Sequence, residues 1–191
     1  MNYTTPTTNY YMWGFKPGDK RLDNIDNLNI IYLEDMQALV KQHPEMYEVW
    51  DKIPNWVTRR DISRYLLMYF SSGTYLDIDC VKQKDIPKNV LDSSAIILYT
   101  EHVGAPTGPR EDKGVKLRVG NYAMTSVQPL QEFWLKCIDE SIRRIQSIID
   151  TTWTDEDVRW CAGSGMLSEV YHNLEDKSGI IVLDDTYVKQ E

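Results

Sequence analysis

No apolar run in the 191-residue sequence approaches the roughly 18 residues needed for a membrane-spanning helix. Basic residues are also in short supply: 21 Lys and Arg stand against 29 Asp and Glu, a net charge of −8. That balance argues against sequence-independent binding to nucleic acid or to an anionic membrane, and a chain of this sign needs a cation to hold a phosphate-rich ligand. Cysteine is scarce. Cys80, Cys137 and Cys161 are odd in number and lack metal-ligand spacing, so free thiols in a reducing compartment are expected and zinc is not. There is no internal repeat and no low-complexity tract. The opening stretch "MNYTTPTTNYYMW" has neither the basic start nor the apolar stretch of a secretory signal, so a soluble, cytoplasmic protein is expected. What is present is 42% hydrophobic residues, enough to build the core of a single domain over 1–191.

Strand-like and helix-like segments alternate, which favours an α/β architecture. "NYYMWGF" (9–15) and "LNIIYL" (28–33) have strand character, the first ending at a Pro17–Gly18 turn. Residues 34–52 have a helical pattern divided at Pro44, whose ring and missing N–H break the ladder. A helix is predicted from about Thr58 to Ser71, stopped by Gly73, and "SSGTYLDIDC" (71–80) follows as a buried strand. "SAIILY" (94–99) is a further strand. The segment 101–114, with three glycines and two prolines, is a long loop of the kind that often serves as a functional lid. "VKLRVGNYAMTS" gives one or two strands. Pro129 then opens a helix whose core stripe is Leu130, Phe133, Trp134, Cys137, Ile138, Ser141 and Ile145. Thr154 and Asp157 have capping-box spacing, Gly163 and Gly165 break the short helix they start, and "MLSEVYHN" forms another. "GIIVLDD" is predicted to be the last, buried strand.

Within 71–80, a strand would put Leu76, Ile78 and Cys80 on one face and Tyr75, Asp77 and Asp79 on the other. The two aspartates would then lie roughly 7 Å apart at Cα. Burying two carboxylates together is unfavourable unless a shared proton or a bound cation relieves it. Hard oxygen ligands suit magnesium or manganese. The pair alone also fits a solvent-facing edge strand whose aspartates have no such role. In the preceding helix Asp61, Arg64 and Met68 share one face, while Ile62, Leu66, Tyr69 and Phe70 share another. Thr58-x-x-Asp61 is itself a capping-box pattern and would account for the aspartate without any chemistry, as an i,i+3 pairing would account for Arg64.

The run "RRDISRYLLMYFSSGTYLDIDC" resembles the signature of the Asp-x-Asp glycosyltransferases with the GT-A fold. That family includes initiating mannosyltransferases, capsular sugar transferases and, more distantly, the clostridial glucosylating toxins. The matching positions are Asp61, Arg64, Tyr65, Gly73, Tyr75, Asp77 and Asp79, with Ser72 where the family usually has a first glycine. "NYYMW" resembles the family's first strand, "VGNYAMTS" its Asn-containing strand, and 163–165 its Thr-Gly-Pro turn, with Ser164 and Gly165 departing from it.

The resemblance implies one GT-A domain with a central, mixed, mostly parallel sheet flanked by helices. It implies transfer of a sugar from a nucleotide-diphosphate donor, UDP favoured over GDP, to a hydroxyl of a glycan or other acceptor, with Mn2+ or Mg2+ as cofactor and retention of configuration. It assigns Asp79 to the metal directly and Asp77 to the metal through water or to the ribose. Tyr75 falls beside the nucleotide, Trp13 against its base, Asp61 and Arg64 at the sugar hydroxyls, and Asn121 near sugar or acceptor. Asp184, Asp185 and His172 are candidates for a third metal ligand. Two other classes fit parts of the pattern. Asp77-Ile78-Asp79-Cys80-Val81 also suits a haloacid-dehalogenase-type phosphatase with Asp77 as nucleophile, although about 76 residues precede it and the Asp61–Arg64 helix goes unexplained. A nucleotide-sugar-binding protein without turnover is the third.

Overall fold

The computed structural model describes residues 9–12, 28–101 and 117–190, so Trp13 and nearly all of the 101–114 loop lie outside the described residues. The strands are β1 (Asn9–Met12), β2 (Leu28–Ile31), β3 (Gly73–Leu76), β4 (Cys80–Lys82), β5 (Ile96–Thr100), β6 (Val119–Ser126), β7 (Ile180–Leu183) and β8 (Val188–Gln190). The helices are α1 (Leu33–Val40), α2 (Pro44–Trp50), α3 (Trp56–Phe70), α4 (Lys88–Ser93), α5 (Glu132–Ile148), α6 (Asp155–Ala162) and α7 (Ser164–Asn173). Six strands form one sheet in the order β2-β1-β3-β6-β5-β7, and β4 pairs with β8 in a separate ribbon. Only β6 runs against its neighbours in the six-stranded sheet. The carboxyl ends of the other five strands and the start of β6 therefore meet at one edge, where ligands of open α/β sheets bind.

Alternation along the strands divides the apolar residues between two cores. Tyr75, Ile96, Leu98 and Met124 face α1–α3 and α5–α7, whereas Leu76, Ile97, Tyr99 and Ala123 face α4 and the β4–β8 ribbon. The α5 stripe is buried as its spacing predicts, with Trp134 fully enclosed and its indole N–H donating to Ser126 Oγ at 3.1 Å. Leu130 departs from that stripe. The helix begins at Glu132, and Leu130 is 62% exposed at φ +60, a backbone that lets its N–H reach the Tyr69 carbonyl at 2.6 Å.

Pro44 does divide the segment after β2, at N1 of α2, and Thr154 and Asp157 do cap α6 with reciprocal bonds. The predicted Thr58–Asp61 box does not form. Asn55 caps α3 instead, its Oδ1 accepting from Val57 N at 2.8 Å, so Thr58 is the third helical residue and Asp61 lies a turn beyond the end. The apolar run 179–185 forms an edge strand, β7, that is half-buried throughout, and the true last strand is β8. All three cysteines are free and buried. Among the described residues no helix is long and apolar enough to cross a membrane.

Candidate active site

The stretch 71–80 is two structures joined by a turn. Gly73 enters β3 at φ +138, a backbone that side-chain-bearing residues rarely adopt. The strand ends at Leu76, and Cys80 N then donates to Asp77 O at 2.9 Å, closing a turn that carries both aspartates out of the sheet. The period of two stops there. Ile78, predicted to face the core with Leu76, is 46% exposed, and Asp77 and Asp79 end in different surroundings.

Asp77 points inward. Its backbone N–H donates to Tyr122 O at 2.7 Å, and its Oδ1 lies 2.8 Å from Arg64 Nη2 and accepts from the Tyr75 hydroxyl. Arg64, 1% exposed, is the hub of the site. Its Nη1 donates to Asn121 O at 2.7 Å, its Nη2 also lies 3.4 Å from Asp61 Oδ1, and its guanidinium sits 5.0 Å from the Tyr75 ring centre. Arg64 Nε is buried with no hydrogen-bond partner among the described residues. One side chain from α3 thus connects β3 and β6, and draws together Asp61, Tyr75, Asp77 and Asn121, five of the predicted site residues counting Arg64 itself.

Asp61 is 5% exposed, with Arg60 Nε 3.9 Å away at the rim. Burial raises its pKa to about 6, against the pull of Arg64 and Arg60, with the charge of Asp77 adding to the rise and a hydrogen bond from the Asn121 side chain opposing it. Burial also drives the Tyr75 hydroxyl well above its ordinary value, so it stays a donor. The Cys80 thiol, pushed up to about 12 by burial first and then by Asp77 and Asp79, stays protonated.

Asp79 points outward. It is exposed, and its Oδ2 accepts from Gln190 Nε2 at 3.0 Å across the β4–β8 ribbon. Sequence reasoning missed Gln190, because a three-residue strand 111 positions away leaves no periodic signal. It also missed Arg118, which ion-pairs with Glu101 and donates from Nη2 to Ser164 Oγ at 2.9 Å, at the same sheet edge.

The remaining third-ligand candidates have other partners. Asp184 Oδ1 accepts from Thr186 N at 3.0 Å and from the Thr186 hydroxyl, bonds that lower its pKa. His172 Nε2 is 2.7 Å from Leu117 O. Among the described residues no three His, Cys, Asp or Glu side chains gather as a metal cluster. The donors at the turn are nevertheless all hard carboxylate oxygens, and Asp61, Asp77 and Asp79 outnumber the one buried guanidinium. That donor set suits a magnesium- or manganese-like cation whose shell is completed by water and phosphate oxygens.

Residues 15–97, which contain α3 and the turn, match the family model described as "Glycosyltransferase sugar-binding region containing DXD motif". No curated protein matches the chain. Eighteen solved chains do. One of them, "PaToxG Glycosyltransferase", has a TM-score of 0.57 at 15% identity over 88% of this chain and 69% of its own. Identity that low speaks for the fold, which is the mixed sheet with flanking helices described above. The chain thus resembles DXD-containing glycosyltransferases over residues 15–97, under half of its length, and shares the fold of a solved glycosyltransferase.

Proposed function

We propose that the chain transfers a sugar from a nucleotide-diphosphate sugar, UDP-linked in preference to GDP-linked, to a hydroxyl of a glycan or other acceptor. The observation that carries this reading is the buried Asp61–Arg64–Asp77 ion network that leads outward to the exposed Asp79 at the carboxyl edge of the sheet. Such a path offers sugar-binding groups within and a phosphate-side anion without. Asp61 and Arg64 are assigned to the sugar hydroxyls, Asp61 as an acceptor and the buried Arg64 as the group that holds Asp61 and Asp77 in place. Together they fix the anomeric carbon relative to the acceptor, and orientation of that kind is a large part of what an enzyme can supply.

Asp79 and Asp77 hold a divalent cation, Mn2+ or Mg2+, on the diphosphate side. When bound, that cation neutralises charge on the leaving diphosphate. Asp77 and Tyr75 are assigned to the nucleotide and Asn121 to the sugar or acceptor, and Trp13, outside the described residues, is assigned to the base. The phosphatase reading gives no role to Asp61 or Arg64, which the ion network ties to Asp77. Retention of configuration, by attack on the face that the leaving group vacates, is what the resemblance to DXD-containing glycosyltransferases implies.

Thermal unfolding with UDP, GDP and their sugars, with and without Mn2+, tests the reading on wild type and Asp79→Ala. A ligand at about 100 times its Kd raises Tm by about 5–11 °C for a chain of this size. The expected rise needs Mn2+ and vanishes in Asp79→Ala. No rise with any nucleotide or nucleotide sugar refutes the proposal.

A further inference from the structure

The two aspartates of the turn are held in different ways. Asp77 is fixed by Arg64, by Tyr75 and through its own N–H. Asp79 lies beyond the end of β3, and among the described residues Gln190 Nε2 donates to its carboxylate, with the Cys80 thiol, 4.0 Å from Oδ1, as a second contact. Gln190 is itself well placed to do this. The ribbon aligns Cys80 with Gln190, Val81 with Lys189 and Lys82 with Val188. Val188, 3% exposed, anchors β8 in the core beside Leu76 and Tyr122, and Gln83 N donates to Tyr187 O at 2.9 Å.

We infer that Gln190 is a positioning residue for Asp79. This inference rests on the proposed cation site. A free aspartate at an exposed turn samples several rotamers, and selecting one before the cation arrives removes that entropy from the binding step. The chemistry of the donor matters too. A neutral amide orients one oxygen and leaves the full negative charge and the second oxygen available, whereas a lysine or arginine in its place would compete with the cation. Hydrogen bonds of this kind to a ligating side chain typically change metal affinity about 10–100-fold. They link the affinity of the turn to a strand that closes from the far end of the described chain.

The test is a titration of the full chain with Mn2+ alone, followed by the electron paramagnetic resonance signal of the free ion, with metal-free Tm measured in parallel. Gln190→Met keeps the side-chain length at an exposed position and removes the donor, and Asp79→Ala removes the ligand. The expected result is Mn2+ binding by wild type, a loss of about 10–100-fold in Gln190→Met with metal-free Tm unchanged, and no specific binding in Asp79→Ala. Wild-type affinity in Gln190→Met alongside loss in Asp79→Ala overturns the role of Gln190 and leaves the cation site standing. A fall in metal-free Tm with no change in Mn2+ affinity overturns it as well, since Gln190 would then be purely structural. Equal binding, or none, in wild type and Asp79→Ala overturns the cation site and this inference together.

Discussion

Replacing Asp61 by asparagine should make the free protein more stable and the enzyme inactive, with a stability gain that depends on pH in a defined way. Burial lifts the Asp61 carboxyl from an ordinary 3.8 to about 6 even with Arg64 beside it. Below about pH 4 the group is protonated in both folded and unfolded chains and contributes no difference. As pH rises from about 4 to 6 the unfolded chain releases its proton while the folded chain retains it, so stability is lost across that window. Above about pH 6 the full penalty is present. At about 1.36 kcal/mol per pKa unit, it amounts to about 3 kcal/mol. Asparagine has the same shape and no charge to desolvate, so at about pH 7.5 the variant should melt about 6–12 °C higher than wild type, and at about pH 4 the two should nearly coincide. Differential scanning calorimetry at the two pH values, without ligand, measures this. An equal gain at both values, or a loss at the higher one, would refute the claim that burial of an ionised Asp61 strains the resting fold. On the proposed function, transfer activity should be lost at either pH, because an amide in place of the carboxylate offers the sugar a different set of lone pairs.

Arg64→Met should cost about 3–5 kcal/mol in urea unfolding, because it leaves Asp61 and Asp77 facing each other without their shared cation; a loss under about 1 kcal/mol would show that the network adds little to the fold. Leu130→Gly should stabilise by about 1 kcal/mol, since Leu130 holds a left-handed backbone while burying little side chain; a lower Tm would show that its contacts outweigh the strain.

The frame of the site was legible from the chain for identifiable reasons. Helix α3 has its inner and outer faces at helical spacing, α5 has a nearly continuous apolar stripe, and the Asp-x-Asp run follows a glycine whose backbone other residues rarely adopt. The errors came where one local rule displaced another. Asn55 caps α3 three residues before Thr58, and this frees Asp61 from any capping duty. A turn replaces the strand after Leu76, so the rule of two that grouped Asp77 with Asp79 ends before it reaches either. Pro129 suggested a helix start, but the chain commits Leu130 to a bond with Tyr69 before the helix begins. β4 and β8 are three residues each, too short for any period to show, and the contact between Asp79 and Gln190 depends on their pairing.

The place of β6 between β3 and β5 has a consequence for biosynthesis. β5 leaves the ribosome before either of its partners, β6 and β7, and β3 has only β1 on its other side until β6 arrives. Arg64 meets its acceptor on Asn121 across 57 residues of chain. Until β6 is made, the nascent protein therefore holds a guanidinium and two carboxylates with half their scaffold missing, and β5 exposes both edges. Slow, non-local closure of this kind leaves unpaired strands accessible to other chains. The transition from a vulnerable chain to a sealed one should thus come late, with the zipping of β6 into the gap, and the Arg64 network and the middle of the sheet should be completed in that one step.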